Sequence, residues 1–278
     1  MRALLLDMDG VLVSRGRPIA GAAEAVARLH SIGIPFRVIT NTSLSTRTGL
    51  ARRLAVAGFE IPAGHIVTAL SATTDRLAAQ DPVPTVYLLG SADAPDEFPS
   101  HITLLSDADV DAGAQADVVV VGDSEDRLTY ANLNRAFRQL RDGAAFMAMH
   151  RNPWWLTPAG PTLDSGALVA GLEYATGRRA TVAGKPSPTI FRAAFAALAA
   201  EPADGPLRRR DVAMVGDDLR TDLAPARRLG MRTALVLTGK HGRADVDGIR
   251  GRRSTIHPDL IAASVAEVVA ALDAPSRE

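Results

Sequence analysis

An uninterrupted apolar run, Ala3-Leu4-Leu5-Leu6, delivers two carboxylates, Asp7 and Asp9, into a turn at Gly10. A continuous apolar run reads as a strand buried on both faces, the kind found in parallel sheets. Charged groups at the end of such a strand are costly to desolvate unless something binds them. In open α/β sheets ligands lie outside the carboxyl ends of the strands, where this pair falls. Two carboxylates, a strand end and a glycine turn together point to a hard cation and a phosphate. Taken alone, the aspartates could equally cap a turn, because Asp is common after strands. The weight comes from three pieces further along the chain.

Strands alternate with helices after this start. Ala22 to His30 has helical spacing closed by Gly33, Phe36 to Ile39 is a short strand, and Arg47 to Ala57 is a helix stopped by Gly58. Ile66-Val67 and a helix from Ser71 to Gln80 complete the block. Such a rhythm predicts parallel strands joined by right-handed crossovers. Near Asp81-Pro82-Val83-Pro84 the texture changes. Strands at Val86 to Leu89, Asp117 to Val121 and Ala144 to Met149 follow, with helices at Tyr130 to Leu140 and Ser165 to Thr176. This stretch reads as an inserted domain over 81–182. The first rhythm then resumes with a helix reaching Ala200, strands at Val212 to Val215 and Thr233 to Leu237, and a helix from Asp222 to Leu229. A terminal helix from Leu260 to Leu272 precedes a polar tail. The expected fold is α/β: a Rossmann-like parallel-sheet core of 1–80 and 183–278 with an inserted α/β domain at 81–182.

Composition excludes several function classes. Lys and Arg total 31, matching 31 Asp and Glu, so no net field steers the chain to nucleic acid or an anionic membrane. The absence of cysteine excludes disulfides, thiol nucleophiles and Cys-ligated metals. Only four apolar residues follow Met1-Arg2, too few for a signal peptide. No apolar stretch approaches the ~20 residues of a membrane span. A soluble, cytoplasmic protein is expected. His30, His65, His101, His150, His241 and His257 show no metal-ligand spacing, and most of them are expected on the surface or in loops. Arg208-Arg209-Arg210 is expected to be a solvated loop.

The remaining polar pieces lie at strand ends and helix starts. Thr40 and Asn41 follow the second strand, where the N–H groups of a helix start make an anion site. Each alone is explained as well by a helix cap. Lys185 lies in Gly184-Lys185-Pro186-Ser187-Pro188. Ser187 is a good N-cap and Pro188 a good first helical residue, so a lysine before them is placed at little entropy cost. On its own it would most often be solvated surface. Val215-Gly216-Asp217-Asp218 repeats the logic of strand, glycine and acidic pair, with Asp222 close behind. Clustered carboxylates repel at close range. A divalent cation relieves that repulsion, and oxygen-rich ligands suit Mg²⁺.

Taken in order, Asp7 to Leu12, the Thr40-Asn41 strand end, Gly184 to Pro188 and Gly216 to Asp222 resemble the four motifs of the haloacid dehalogenase superfamily of phosphatases. The insert lies between the second and third motifs, which resembles the C2-capped, class IIA members. Gly171 to Gly177, Val182 to Pro188 and Thr238-Gly239-Lys240 resemble the phospholysine phosphohistidine inorganic pyrophosphate phosphatase type. The resemblance implies Asp7 as nucleophile and Asp9 as general acid and base. It implies Mg²⁺ held by the Asp7 carboxylate, the Asp9 main-chain carbonyl and Asp217, with Asp218 and Asp222 orienting ligands. Thr40, Asn41 and Lys185 would bind phosphoryl oxygens. The reaction implied is hydrolysis of a small phosphorylated metabolite, or of pyrophosphate, through a phospho-aspartate. A phosphomutase of the same superfamily shares every motif. A non-enzymatic phospho-acceptor signalling protein uses similar residues but is far shorter and has no insert. A dehalogenase would not need Asp9. The assembly stays open between a monomer and a homodimer. Within the insert, Trp154, Trp155 and Asp164 are expected to contact the leaving group, with packing inside the cap as the alternative account of the tryptophans.

Overall fold

A computed structural model of the 278-residue chain describes residues 1–157, 160–201, 205–246, 248 and 256–273. Among these, the first strands are β1 (Ala3–Asp7), β2 (Val13–Ser14), β3 (Arg17–Pro18), β4 (Phe36–Thr40) and β5 (Ile66–Thr68). Then come β6 (Val86–Leu89), β7 (Leu104–Leu105), β8 (Val118–Val121), β9 (Ala145–Ala148), β10 (Trp154–Thr157), β11 (Gly160–Leu163) and β12 (Thr181–Val182). The last are β13 (Val212–Gly216), β14 (Arg232–Val236) and β15 (Leu260–Ala262). The helices are α1 (Ala22–Ser31), α2 (Arg47–Val56), α3 (Ala69–Ala78), α4 (Asp107–Asp111) and α5 (Tyr130–Arg141). They continue with α6 (Ser165–Thr176), α7 (Pro188–Ala199), α8 (Ala224–Arg228) and α9 (Val265–Asp273).

The elements gather into two compact units, one of 1–40, 50–67 and 191–278, the other of 41–49 and 68–190. The first is built on a six-stranded sheet in the order β15-β14-β13-β1-β4-β5. Neighbours from β15 to β4 run parallel. Every residue of β1 is buried, as an apolar run sandwiched between helical layers must be. Helix α1 turns Ala22, Ala25, Val26 and Leu29 inward, and α9 adds Val265, Val268 and Val269. Each such Leu or Val side chain contributes about 1.5–3 kcal/mol of burial. The strand order makes the β1–β13 junction a turning point. The chain moves from β1 out to β4 and β5, and later from β13 out through β14 to β15. The loops leaving β1 and β13 therefore diverge and open a crevice at their carboxyl ends. Leu6 pairs with Val215, which brings Asp7 level with Gly216 and sets Asp217 one residue beyond.

The second unit has its own parallel sheet, in the order β12-β9-β8-β6-β7. Its central strands β6 and β8 are buried on both faces. Tyr87, Leu89, Val119, Val121 and Phe146 meet α5 and α6 on one side. Val86, Leu88, Val118, Val120 and Met147 meet Leu70 and Leu77 of α3 on the other, the period-two alternation of a strand. Helix α6 is capped by Asp164 and ends at Gly177, whose φ of 69° is the left-handed conformation that closes a helix at least cost in glycine. Strands β10 and β11 form an antiparallel hairpin that pairs Trp154 with Leu163 and Trp155 with Thr162.

Departures from the sequence expectation have local causes. Leu260 to Ala262, expected to begin the terminal helix, instead extends the sheet beside β14 as β15. An apolar triplet fits either element, and an open sheet edge decided it. The helix expected from Asp222 to Leu229 is divided into a single π-helical turn, Leu219–Leu223, and α8 with Pro225 in its first turn. The hairpin β10–β11 occupies what was expected to be a loop. Arg208, Arg209 and Arg210 are exposed, at a turn before β13. Among the described residues no helix is long and apolar enough to cross a membrane. The tail 274–278, and 158–159 of the Arg151–Asp164 segment, lie outside the described residues.

Candidate active site

In the first unit, Asp7, Asp217 and Asp222 come together at the carboxyl ends of β1 and β13. One ligand oxygen from each lies within 4.8 Å of the others, and their exposures are 6%, 6% and 0%. Backbone N–H groups fix all three rotamers. Met8 N–H donates to Asp7 Oδ1 at 2.7 Å, Lys240 N–H to Asp217 Oδ2 at 2.8 Å, and Asp218 N–H to Asp222 Oδ2 at 3.1 Å. Glycines shape the space. A Cβ at Gly10 or Gly239 would overlap the Asp217 carboxylate, and one at Gly216 would overlap that of Asp222. Gly10 also has φ +80°, a backbone that side-chain-bearing residues rarely adopt. Three buried carboxylates this close repel one another strongly. An all-oxygen set of fixed, buried anions fits a hard divalent cation such as Mg²⁺.

Sequence reasoning set Asp222 behind this group, whereas the structure brings its carboxylate into it. The π-helical turn is what returns Asp222 to the strand end. Asp9 is exposed, in the turn that Gly10 N–H closes onto Val13 O at 2.7 Å, and its carboxylate is not one of the three. Asp218 caps the next turn, accepting from Arg220 N–H at 2.7 Å through Oδ1. Its Oδ2 receives Lys240 Nζ at 2.6 Å. Burial works to raise the Asp218 carboxyl, but the Lys240 ammonium and the Arg220 N–H outweigh it and hold the pKa at about 2. Burial likewise opposes the Lys240 charge, and Asp218, Asp217 and Asp222 together raise its pKa. The Thr238 hydroxyl donates to Gly10 O, so the Thr238-Gly239-Lys240 loop is tied to the turn that follows β1. Lys240 had no signal in the sequence beyond its place in that tripeptide.

Thr40 ends β4 in the first unit and is 1% exposed. Asn41 and Lys185 meet in the second. Lys185 N–H donates to Asn41 Oδ1 at 2.6 Å, and Asn41 Nδ2 donates to Lys185 O at 2.9 Å. One side-chain amide thus clamps both backbone groups of the lysine. Lys185 is 5% exposed, not the solvated lysine its type would favour. A Cβ at Gly184 would overlap Asn41 Oδ1 and Met149 O, so only glycine allows this approach. Ser187 Oγ accepts Thr189 N–H at 3.3 Å and caps α7.

Trp154 and Trp155 are 59% and 45% exposed on β10. Asp164 is buried, accepts Ser165 N–H at 2.7 Å and lies 3.8 Å from His150 Nε2. His150 lies in a loop, as expected for most of the histidines, but is buried there. It is 1% exposed and stands 3.2 Å from Asp123 Oδ2, held by two carboxylates that arrive from distant parts of the chain.

Similarity to known proteins accords with this geometry. The sequence profile described as haloacid dehalogenase-like hydrolase matches residues 4–101, and a second, HAD-hydrolase-like profile matches 182–268. The haloacid dehalogenase-like hydrolase domain-containing protein 2 of Bos taurus is 34% identical over 249 residues, 90% of this chain and 89% of that protein. The phospholysine phosphohistidine inorganic pyrophosphate phosphatase of Danio rerio is 32% identical over 269 residues, 95% of this chain and 93% of that one. A p-nitrophenyl phosphatase from Archaeoglobus fulgidus has a similar structure, with a TM-score of 0.85 and 28% identity, covering 97% of this chain and 98% of that one. NagD from E. coli K-12 gives a TM-score of 0.79 at 30% identity over 96% and 98% of the two chains. A parallel-sheet α/β core with an inserted α/β cap domain, acidic groups at its central strand ends and near full-length relatives place this chain in the haloacid dehalogenase-like hydrolase family.

Proposed function

We propose that this hydrolase is a Mg²⁺-dependent phosphatase acting on a small phosphorylated metabolite, or on pyrophosphate, through a phospho-aspartate. The catalytic core would be 1–80 and 183–278, with 81–182 as the C2-type cap that supplies specificity. The observation that carries this reading is the buried group of Asp7, Asp217 and Asp222 at the crevice of the first sheet. The relatives named as phosphatases support it.

Asp7, Asp217 and the Asp9 main-chain carbonyl would hold Mg²⁺, with Asp222 and Asp218 fixing the groups around it. When bound, the ion supplies neutralisation of phosphoryl charge. The Asp7 carboxylate attacks phosphorus, the bond to the leaving oxygen breaks, and Asp9 gives that oxygen its proton. Asp9 then takes a proton from the water that attacks the aspartyl phosphate, which releases orthophosphate and restores Asp7. Thr40 and Asn41 supply hydrogen bonds to the phosphoryl oxygens, and Lys185 supplies a compact positive charge.

Chelation should abolish hydrolysis of p-nitrophenyl phosphate, and excess Mg²⁺ should restore it. Ca²⁺ should substitute poorly because its coordination is larger and looser. Asp217→Ala should raise the Mg²⁺ concentration for half-maximal rate by about tenfold or more. Full rates in excess chelator would end the metal assignment. Repeated turnover with release of orthophosphate separates a phosphatase from a phosphomutase and from a phospho-acceptor.

The exposed β10–β11 hairpin is the part of the cap proposed to meet the leaving group. Rigid aromatic side chains on such a loop give large contact at small entropy cost. Trp155→Ala should reorder rates among sugar, nucleotide, amino-acid and pyrophosphate substrates by about tenfold while sparing a small aryl phosphate. Uniform loss that follows melting temperature would make the tryptophan structural.

A further inference from the structure

The second unit carries a buried polar cluster that no step of the proposed reaction uses. Asp123 follows β8, His150 follows β9, and Asp164 caps α6. One ligand atom from each lies within 4.8 Å of the others. His150 Nε2 is 3.2 Å from Asp123 Oδ2 and 3.8 Å from Asp164 Oδ1. Asp123 Oδ2 also accepts the Ser43 hydroxyl at 2.7 Å, and Ser43 Oγ accepts Asp123 N–H at 2.9 Å. A Cβ at Gly122 would strike Ser43 Oγ and the Met149 side chain, so this contact is closely fitted. Ser43 is two residues from Asn41, whose amide clamps the backbone of Lys185. A polar path therefore runs from Asp164 through His150, Asp123 and Ser43 to the Asn41 loop.

We propose that Asp123, His150 and Asp164 are positioning residues that hold the Asn41–Ser43 loop in its phosphate-binding shape, with His150 joining the two carboxylates. The proposal rests on the phosphatase reading above. Burial opposes charge on His150, but Asp123 and Asp164 outweigh it and raise its pKa. Burial would raise the Asp123 carboxyl, yet His150 and the hydrogen bonds from Asp164 and Ser43 hold it well below the usual range. Asp164 goes the other way, pushed to about 6 by burial and by Asp123 against the pull of His150. The other groups facing the imidazole are uncharged: Ser165 Oγ, 3.3 Å from Nε2, and Asn152 N–H, which donates to Nδ1 at 3.4 Å when that nitrogen carries no proton. The neighbouring Arg151 guanidinium is turned to Glu173 at 2.8 Å.

A raised His150 stabilises the fold fully below its ordinary pKa of ~6.5 and loses that contribution as pH rises through its higher folded value. A raised Asp164 costs stability increasingly as pH rises from its ordinary value of 3.8 to about 6, and nothing further above that. On the alkaline side the cation is lost while both carboxylates remain charged. Asp123 and Asp164 then repel, and the Ser43 contact is the one that yields.

The test is KM for p-nitrophenyl phosphate from about pH 6 to about pH 9, across the range where a perturbed histidine titrates. It is read beside the rise in melting temperature that orthophosphate produces with Mg²⁺ present. Wild-type KM should climb with pH. His150→Gln should raise KM about tenfold at neutral pH and flatten that climb, with a smaller change in kcat, and should shrink the orthophosphate shift. Adding Asp164→Asn should recover part of the loss, because one of the two repelling charges is gone. Ser43→Ala, which removes only the hydroxyl through which the cluster acts, should raise KM in the same sense and decides the matter if His150→Gln does not fold. A lower melting temperature with KM and the orthophosphate shift unchanged would make the cluster merely structural and overturn the proposal. If the wild type neither hydrolyses the aryl phosphate nor binds orthophosphate, the phosphatase reading falls and takes this one with it. If it does both and Ser43→Ala leaves KM and its pH profile untouched, only the present inference falls.

Discussion

Asp7→Asn should show no turnover of any phosphate ester while keeping the wild-type fold. In the proposed mechanism the substitution removes the attacking oxygen and a cation ligand together, and an amide is a poor replacement for either. It also removes one charge from a buried trio of carboxylates. In metal-free buffer the variant should therefore melt at or above the wild-type temperature, because like-charge repulsion has been relieved. The rise in melting temperature that Mg²⁺ gives the wild type should be largely lost. Asp9→Asn should differ in both respects. It should slow turnover about 10²–10⁴-fold, since both half-reactions lose proton transfer, yet keep the Mg²⁺ shift. Asp9 is asked to bind the cation only through its main chain, which the change leaves in place. Wild-type rates in Asp7→Asn would refute the covalent route.

Lys185→Ala should lower kcat/KM about 10²–10³-fold, the loss typical of removing one preorganised donor from a site of developing negative charge. A lysine only 5% exposed, with its own N–H and C=O both clamped by Asn41, spends little entropy on reaching its target. Lys185→Arg should recover little, because a planar fork cannot occupy the place of a compact ammonium. Lys185→Met keeps the aliphatic stem and separates lost packing from lost charge. If Lys185→Ala shifts melting temperature but leaves steady-state kinetics alone, the residue is structural.

Legibility in the sequence followed the range of the interactions. The run Ala3 to Leu6, bounded by the Gly10 turn, reads as a strand enclosed on both faces, so β1 and the placement of Asp7 at its end were readable from adjacent residues. Asp217, at the end of a second such run, was readable for the same reason. Asp222 was seen as acidic and near, but its entry into the group depends on a π-helical turn, which leaves no periodic trace. Lys240 pairs with an aspartate 22 residues away, and nothing local distinguishes it from a surface lysine. His150 was harder still. A lone histidine on an apolar strand end gives no hint that two aspartates from separate loops enclose it. Strand β15 was lost because Leu260-Ile261-Ala262 has the composition of the helix that follows, and only the edge of β14 settles the choice.

The hairpin of β10 and β11 has a consequence for how such a protein diversifies. Trp154, Trp155 and Leu163 are among its most exposed large apolar side chains, at 59%, 45% and 66%. Changes at positions this exposed usually alter stability by no more than about 0.5 kcal/mol. A library randomised along the hairpin should therefore stay mostly folded, whereas the same diversity at Asp217 or its glycine neighbours would destroy the protein's chemistry outright. If the hairpin meets the leaving group as proposed, mutational drift can accumulate there without eroding the scaffold, and a new preference can arise from an old one through intermediates that all remain viable.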